Sequence, residues 1–239
     1  MTLVLTELPA AAQEAVAATR ERVAALHAEL PRNDLVVWTA GNVSERVPTT
    51  DPEVPGLLVI KPSGVSYDEL SAENMVVCTL DGAKIADGTP DALTPSSDTA
   101  AHAYVYEHMP EVGGVVHTHS TYATAWAARG QEIPCVLTMM ADEFGGPVPV
   151  GPFAVIGDDS IGRGIVETLQ GHRSPAVLMQ NHGPFTIGKD ARAAVKAAVM
   201  VEEVARTVHV SRQLGEPLPI EQGLIDSLYD RYQNVYGQR

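Results

Sequence analysis

Apolar residues fall into two kinds of segment along this chain. Over 10–30 they recur among alanines at helical spacing, through Val16, Val23, Leu26 and Leu30, and Pro31 is expected to end that helix. A longer stretch of the same kind covers 190–213. Short apolar runs at 35–39, 57–60, 75–80, 112–116, 153–156, 177–180 and 185–187 read instead as strands. Further helices are expected at 97–108, capped by Ser96 or Ser97; at 120–128, stopped by Gly130; at 159–170; and, beyond the breaks at Pro217 and Pro219, at 221–232. Strands and helices mix without strict βαβ alternation, and no repeat, low-complexity run or linker divides them. The expectation is one three-layered α/β domain over 1–239, a central mixed sheet with helices on both faces.

Charge and composition narrow the classes. The 239 residues are 45% hydrophobic, enough to bury a full core, and carry 30 acidic against 16 basic residues for a net charge of -14. That balance argues against a nucleic-acid or anionic-membrane surface, so any anion must be held locally. Cys78 and Cys135 lie far apart in apolar runs and are expected to be reduced thiols. The first residues include Glu7 and lack the charged-then-apolar order of a secretion signal, and no apolar stretch approaches membrane length. A cytoplasmic location is expected.

The tripeptide His117-Thr118-His119 closes the apolar run Gly113-Gly114-Val115-Val116. Side chains two apart on extended chain point the same way, so both imidazoles can reach one ion. A strand-end pair by itself is otherwise a surface feature. Its surroundings strengthen it: Asp98 opens a helix after Ser96-Ser97, and His182 follows the apolar run 176–179. One carboxylate and three imidazoles suit Zn(II), Mn(II) or Co(II).

A second group of residues is suited to an anion. Gly41-Asn42-Val43-Ser44 and Lys61-Pro62-Ser63-Gly64 each follow a predicted strand, and Ser96-Ser97 opens a predicted helix. Glycines admit close backbone approach, hydroxyls and helix-start amides donate, and Lys61 adds one charge. Taken singly these are ordinary turn residues; Asp98, adjoining Ser96-Ser97, ties them to the histidines.

GNVS (41–44), KPSGVSYDEL (61–70), PSSDT (95–99), PEVGGVVHTHSTYATAWA (110–127), NHGPF (181–185) and VYGQ (235–238) together resemble the class II aldolase/epimerase family, in family order and over nearly the whole chain. The resemblance implies a three-layer α/β/α fold whose mixed sheet is largely antiparallel. It implies a divalent metal held by His117, His119 and His182, Zn(II) foremost with Mn(II) or Co(II) as alternatives, and Asp98 beside it as a ligand or proton-handling group. Gly41, Asn42, Lys61, Ser63, Gly64, Ser96 and Ser97 become the implied phosphate site. A homotetramer of fourfold symmetry is implied as well, the C-terminal tail of one subunit completing its neighbour's site.

Three features separate members of the family. Its aldolases usually place Glu where this chain has Asp98. Its sugar-phosphate epimerases have Asp there, an Ala-Asp pair such as Ala141-Asp142, and a tail such as Tyr236-Gly237-Gln238. The resemblance therefore implies a 4-epimerase interconverting L-ribulose 5-phosphate and D-xylulose 5-phosphate by breaking and re-forming C3–C4, with Asp142 and Tyr236 as acid/base groups and the tyrosine supplied by the adjacent subunit. An aldolase, or a decarboxylase of a related sugar-acid phosphate, is the alternative. A non-catalytic adducin-like module is a third reading, against which the intact histidines argue. One departure stands out: such epimerases carry a histidine in the last helix, and 226–231 has none. His27, His102, His108, His172 and His209 are expected to be structural or solvent-facing.

Overall fold

A seven-stranded sheet covered on both faces explains why most strands of this protein read as continuous apolar runs rather than alternating ones. The computed structural model describes residues 2–49 and 51–235. In chain order the helices are α1 (Ala10–His27), α2 (Glu29–Arg32), α3 (Thr99–His108), α4 (Thr121–Ala128), α5 (Thr138–Phe144), α6 (Ser160–Leu169), α7 (Ala191–Leu214) and α8 (Gln222–Asn234). The strands are β1 (Asn42–Arg46), β2 (Leu57–Ile60), β3 (Val76–Thr79), β4 (Gly114–His117), β5 (Val150–Gly151), β6 (Ala176–Met179) and β7 (Gly183–Gly188). They lie in the order β3-β2-β1-β4-β7-β6-β5, antiparallel except where β5 runs parallel to β6.

Neighbouring residues of each strand serve opposite faces. Leu58, Ile60, Val115 and Val177 pack with α3 and α6. On the other face Leu57 and Val59 meet α1, Val43 and Val116 meet α7, and Ala176 and Leu178 meet α4, α5 and α7. Helices thus cover both sides of a largely antiparallel mixed sheet, the expected three-layer class.

Several expected elements differ, each for a local reason. Residues 35–39 are not a strand: Asp34 and Trp38 hold φ of 55° and 58°, and Val37 and Trp38 are exposed. The strand is the polar segment Asn42–Arg46, held centrally because Glu45 pairs with Arg22 and Ser44 with His102. Residues 153–156 form an exposed loop, since Pro152 has no N–H to continue the pairing of β5. Helix α1 stops at His27, and Pro31 sits inside α2, where a first-turn proline forfeits no helical bond. Asp98, not Ser96 or Ser97, occupies the N-cap of α3, and the Ser96 hydroxyl accepts from the Asp98 amide at 3.3 Å. Helix α5 has no counterpart among the expected elements; Gly145, at φ 63°, closes it. The remaining boundaries shift by a few residues at most. Both cysteines are free thiols. No helix among the described residues is long and apolar enough to cross a membrane.

Candidate metal centre and anion pocket

The end of β4 and the hairpin joining β6 to β7 bring three imidazoles together. His117 is paired in the ladder with Asn42 on one side and Phe185 on the other. His182 sits in the hairpin turn, which Asn181 enters at φ 59°, a conformation asparagine tolerates well. The ligand nitrogens of His117, His119 and His182 all lie within 4.8 Å of one another, and the Nε2 atoms of His117 and His119 are 2.9 Å apart. His117 is buried; its Nδ1–H donates to the Pro184 carbonyl at 3.1 Å, which leaves Nε2 as the lone-pair atom. The Phe185 ring stacks on that imidazole, with centroids 4.1 Å apart and planes 14° from parallel. Beginning three residues after His119, the Tyr122 and Ala123 amides donate to the Glu202 carboxylate of α7 at 2.9 and 2.8 Å, fixing the start of α4.

Burial lowers the pKa of all three imidazoles. It takes His117 well below the usual histidine value, reinforced by His182 and His119. At His119 and His182 the Asp98 carboxylate partly offsets burial. Three neutral imidazoles converging on one point are the donor set a borderline divalent cation takes, so these residues fit a Zn(II)-type site. Asp98 stands beside this trio without joining it. It is buried, and its Oδ2 accepts from Asn42 Nδ2 at 2.7 Å.

The imidazoles open into a cavity of about 200 Å³ that also receives Gly41, Asn42, Lys61, Ser63, Gly64, Ser96, Ser97 and Asp98. Lys61 is buried, and its ammonium donates to the carbonyls of Thr39 and Pro62 at 3.3 and 3.2 Å. Burial pulls its pKa down to about 8. Held by two neutral carbonyls and set 5.5 Å from the centroid of the Tyr67 ring, this buried cation is poised for an anionic ligand. Gly41 turns at φ 80°, where a Cβ would come within 2.9 Å of the His117 carbonyl.

Of the other sequence candidates, Asp142 lies on α5, half-buried, and does not line this pocket. Tyr236 lies outside the described residues. His27 and His102 are buried and neutral, burial lowering each pKa to about 3, and His172 accepts from the Ser174 amide. His108 and His209 are exposed. Sequence reasoning gave no role to Tyr67, whose hydroxyl lies 2.9 Å from the Ala40 carbonyl and 3.2 Å from that of Gly41, bracing the loop ahead of Asn42. Its place inside KPSGVSYDEL was the available signal. Thr39, Ala40 and Ile156 also line the cavity, and nothing in their sequence context marked them.

Known proteins resemble this chain over most of its length. Residues 21–209 match the family described as class II aldolase and adducin N-terminal domain. The L-ribulose-5-phosphate 4-epimerases UlaF of Salmonella paratyphi B (strain ATCC BAA-1250 / SPB7) and of Salmonella typhi are each 41% identical, covering 92% of this chain and 98% of the relative. Among solved structures, an L-fuculose 1-phosphate aldolase superimposes with a TM-score of 0.79 at 24% identity, over 90% of this chain and 96% of its own. YgbL from Klebsiella pneumoniae, titled a putative aldolase/epimerase/decarboxylase, gives 0.73 at 30% identity, over 88% and 97%. With its whole-length relatives, its sheet order and its three converging histidines, this chain belongs to the class II aldolase and adducin N-terminal domain family.

Proposed function

We propose that this protein is a metal-dependent 4-epimerase that interconverts L-ribulose 5-phosphate and D-xylulose 5-phosphate. The observation that carries the reading is one cavity joining three neutral imidazoles to a lysine-centred anion cradle. The choice of sugar is supported by relatives named L-ribulose-5-phosphate 4-epimerase at 41% identity over 92% of the chain. The same proposal includes one domain over 1–239, a cytoplasmic location and a homotetramer whose ring-closing interfaces bring residues of adjacent subunits to one site.

The chemistry follows from the bonds. Lys61, the Ser63, Ser96 and Ser97 hydroxyls and the backbone at Gly41 and Gly64 would hold the phosphate. His117, His119 and His182 would hold the divalent cation, Zn(II) foremost, whose charge draws electrons toward the C2 carbonyl oxygen. C4 adjoins no carbonyl, so removing its C–H proton would leave an unstabilised carbanion. Taking the C4 hydroxyl proton instead lets C4 become an aldehyde while the electron pair of the C3–C4 bond passes to the C2–C3 unit. Rotation of the aldehyde and re-formation of C3–C4 on its opposite face inverts C4, and the proton returns to the oxygen. The anchored phosphate keeps the two-carbon fragment from leaving. Asp142 and Tyr236 are the proposed acid/base groups on the two faces of that aldehyde.

An NMR time course with L-ribulose 5-phosphate and Zn(II)-loaded protein tests the reading. D-xylulose 5-phosphate should accumulate to a fixed ratio with no free aldehyde. Net release of glycolaldehyde phosphate would make the protein a lyase, and an unchanged spectrum would refute the substrate.

A further inference from the structure

Strand β1 and helix α3 face each other in two rungs. Asn42 and Ser44, two apart on the strand, share a face; Asp98 and His102, four apart at the start of the helix, share another. Asn42 Nδ2 meets Asp98 Oδ2 at 2.7 Å in the first rung, and Ser44 Oγ meets His102 Nδ1 at 2.7 Å in the second. Ser44 Oγ is also 2.7 Å from the Tyr106 hydroxyl, one turn further along α3. His102 is fully buried.

The chain Tyr106–Ser44–His102 can run in two directions, because Ser44 has one hydroxyl proton to give. Either Tyr106 donates to Ser44 and Ser44 to His102 Nδ1, which leaves the ring proton on Nε2, or Nδ1–H donates to Ser44 and Nε2 keeps a bare lone pair. The charge acting most strongly on His102 is the Asp98 carboxylate. Beside a carboxylate an N–H is favoured and a lone pair repelled, so the first direction is selected.

Three buried atoms of this neighbourhood have no hydrogen-bond partner among the described residues: His102 Nε2, Asp98 Oδ1 and Asn42 Oδ1. In the selected tautomer they are one donor and two acceptors. A single water matches them, accepting one hydrogen bond and donating two. We infer that His102 is a positioning residue, which through one buried water bound to Asp98 Oδ1 and Asn42 Oδ1 locks the Asp98 carboxylate beside the three imidazoles. Ser44 and Tyr106 hold the tautomer that makes this possible. The inference rests on the reading that Asp98 belongs to the reactive centre.

Two measurements test it. In protein carrying ¹⁵N-histidine, the long-range ¹⁵N–¹H spectrum distinguishes Nε2–H from Nδ1–H rings, and the signal lost in His102→Gln is that of His102. The Nε2–H form is expected, opposite to the Nδ1–H form of His27; an Nδ1–H ring at His102 would overturn the inference. Ser44→Ala, which leaves the imidazole in place, should turn that signal into a tautomer mixture, and an unmoved signal would count against the relay. In kinetics, His102→Leu should lower kcat between about 10- and 100-fold at unchanged zinc content and nearly unchanged KM. His102→Gln, which restores an N–H, should recover most of that loss, whereas equal loss in both variants would reduce His102 to packing. A wild-type protein inactive on L-ribulose 5-phosphate would refute the functional reading alone, because the tautomer spectrum reads no turnover.

Discussion

The Nε2 atom of His27 accepts a hydrogen bond from the Val43 amide across 3.0 Å, while its Nδ1–H donates to the Val23 carbonyl at 2.7 Å. One neutral ring thus ties α1 to β1 next to Asn42, and a proton on Nε2 would displace the Val43 N–H. Burial accordingly lowers its pKa from 6.5 to about 3. The unfolded chain takes up this proton near pH 6.5 and the folded chain only near 3, so the contribution is complete above 6.5 and is lost as pH falls toward 3. The loss runs at about 1.4 kcal/mol per pH unit. Urea unfolding should show wild type losing about 2 kcal/mol more than His27→Gln between pH 6.5 and 5. Parallel stability curves would exclude His27 as the source.

Lys61 gives the anion pocket a pH dependence of opposite sense. Its charge is lost in the free protein as pH rises through about 8. Because kcat/KM follows the free enzyme, it should fall about tenfold per pH unit above that point. A bound phosphate dianion holds the proton on, so kcat should stay level over the same range. Lys61→Met should lower kcat/KM already at pH 7 and abolish the alkaline limb. A limb that persists in Lys61→Met would assign it to another group.

His119→Ala should lose metal and activity together. The remaining His117 and His182 form a two-imidazole site that binds a divalent ion weakly, and Lys61, the cavity's other cation, is assigned to the phosphate. Elemental analysis after dialysis is expected to find less than about a tenth of the wild-type metal, with turnover reduced at least about a hundredfold. Full metal occupancy in this variant would refute the three-histidine site.

What the sequence showed of this architecture depended on how far away each residue's partners lie. The apolar runs at 57–60 and 176–179 and the His117/His119 pair were legible because strand character and side-chain direction are local properties. β1 was not, since Asn42–Arg46 is polar and is drawn into the sheet by Arg22, Asp98, His102 and the Ala191 amide, all distant along the chain. The reverse error occurred at 153–156, where Phe153, Val155 and Ile156 are apolar yet exposed and Ile156 lines the cavity. Apolarity alone does not separate a strand from the rim of a site. Most pocket residues were readable through their motifs, Thr39, Ala40 and Ile156 excepted, but the Ser44–His102 rung that backs them follows only from the packing of α3 on β1.

Asp142 and Tyr236 offer the test that separates bond cleavage from inversion. Each is proposed to handle the proton on one face of the rotating aldehyde, so losing either should block interconversion while leaving metal and phosphate binding nearly intact. Asp142→Asn keeps the shape and removes the base; Tyr236→Phe removes one hydroxyl, and truncation before Val235 should act like it. In the proposed ring the tyrosine comes from the adjacent subunit, so each site would draw on more than one chain. Mixing inactive Asp142→Asn chains with inactive Tyr236→Phe chains, after dissociation and reassembly, should therefore restore part of the activity, since some sites then receive both intact groups. Should each substitution cost less than about tenfold in kcat, a loss of only ~1.4 kcal/mol of transition-state stabilisation, these residues are not the acid/base pair and the lyase reading gains ground. Full loss in both variants without recovery on mixing would instead mean that one chain supplies both groups to each site, and the division of the pair between chains would fall while the acid/base roles stood.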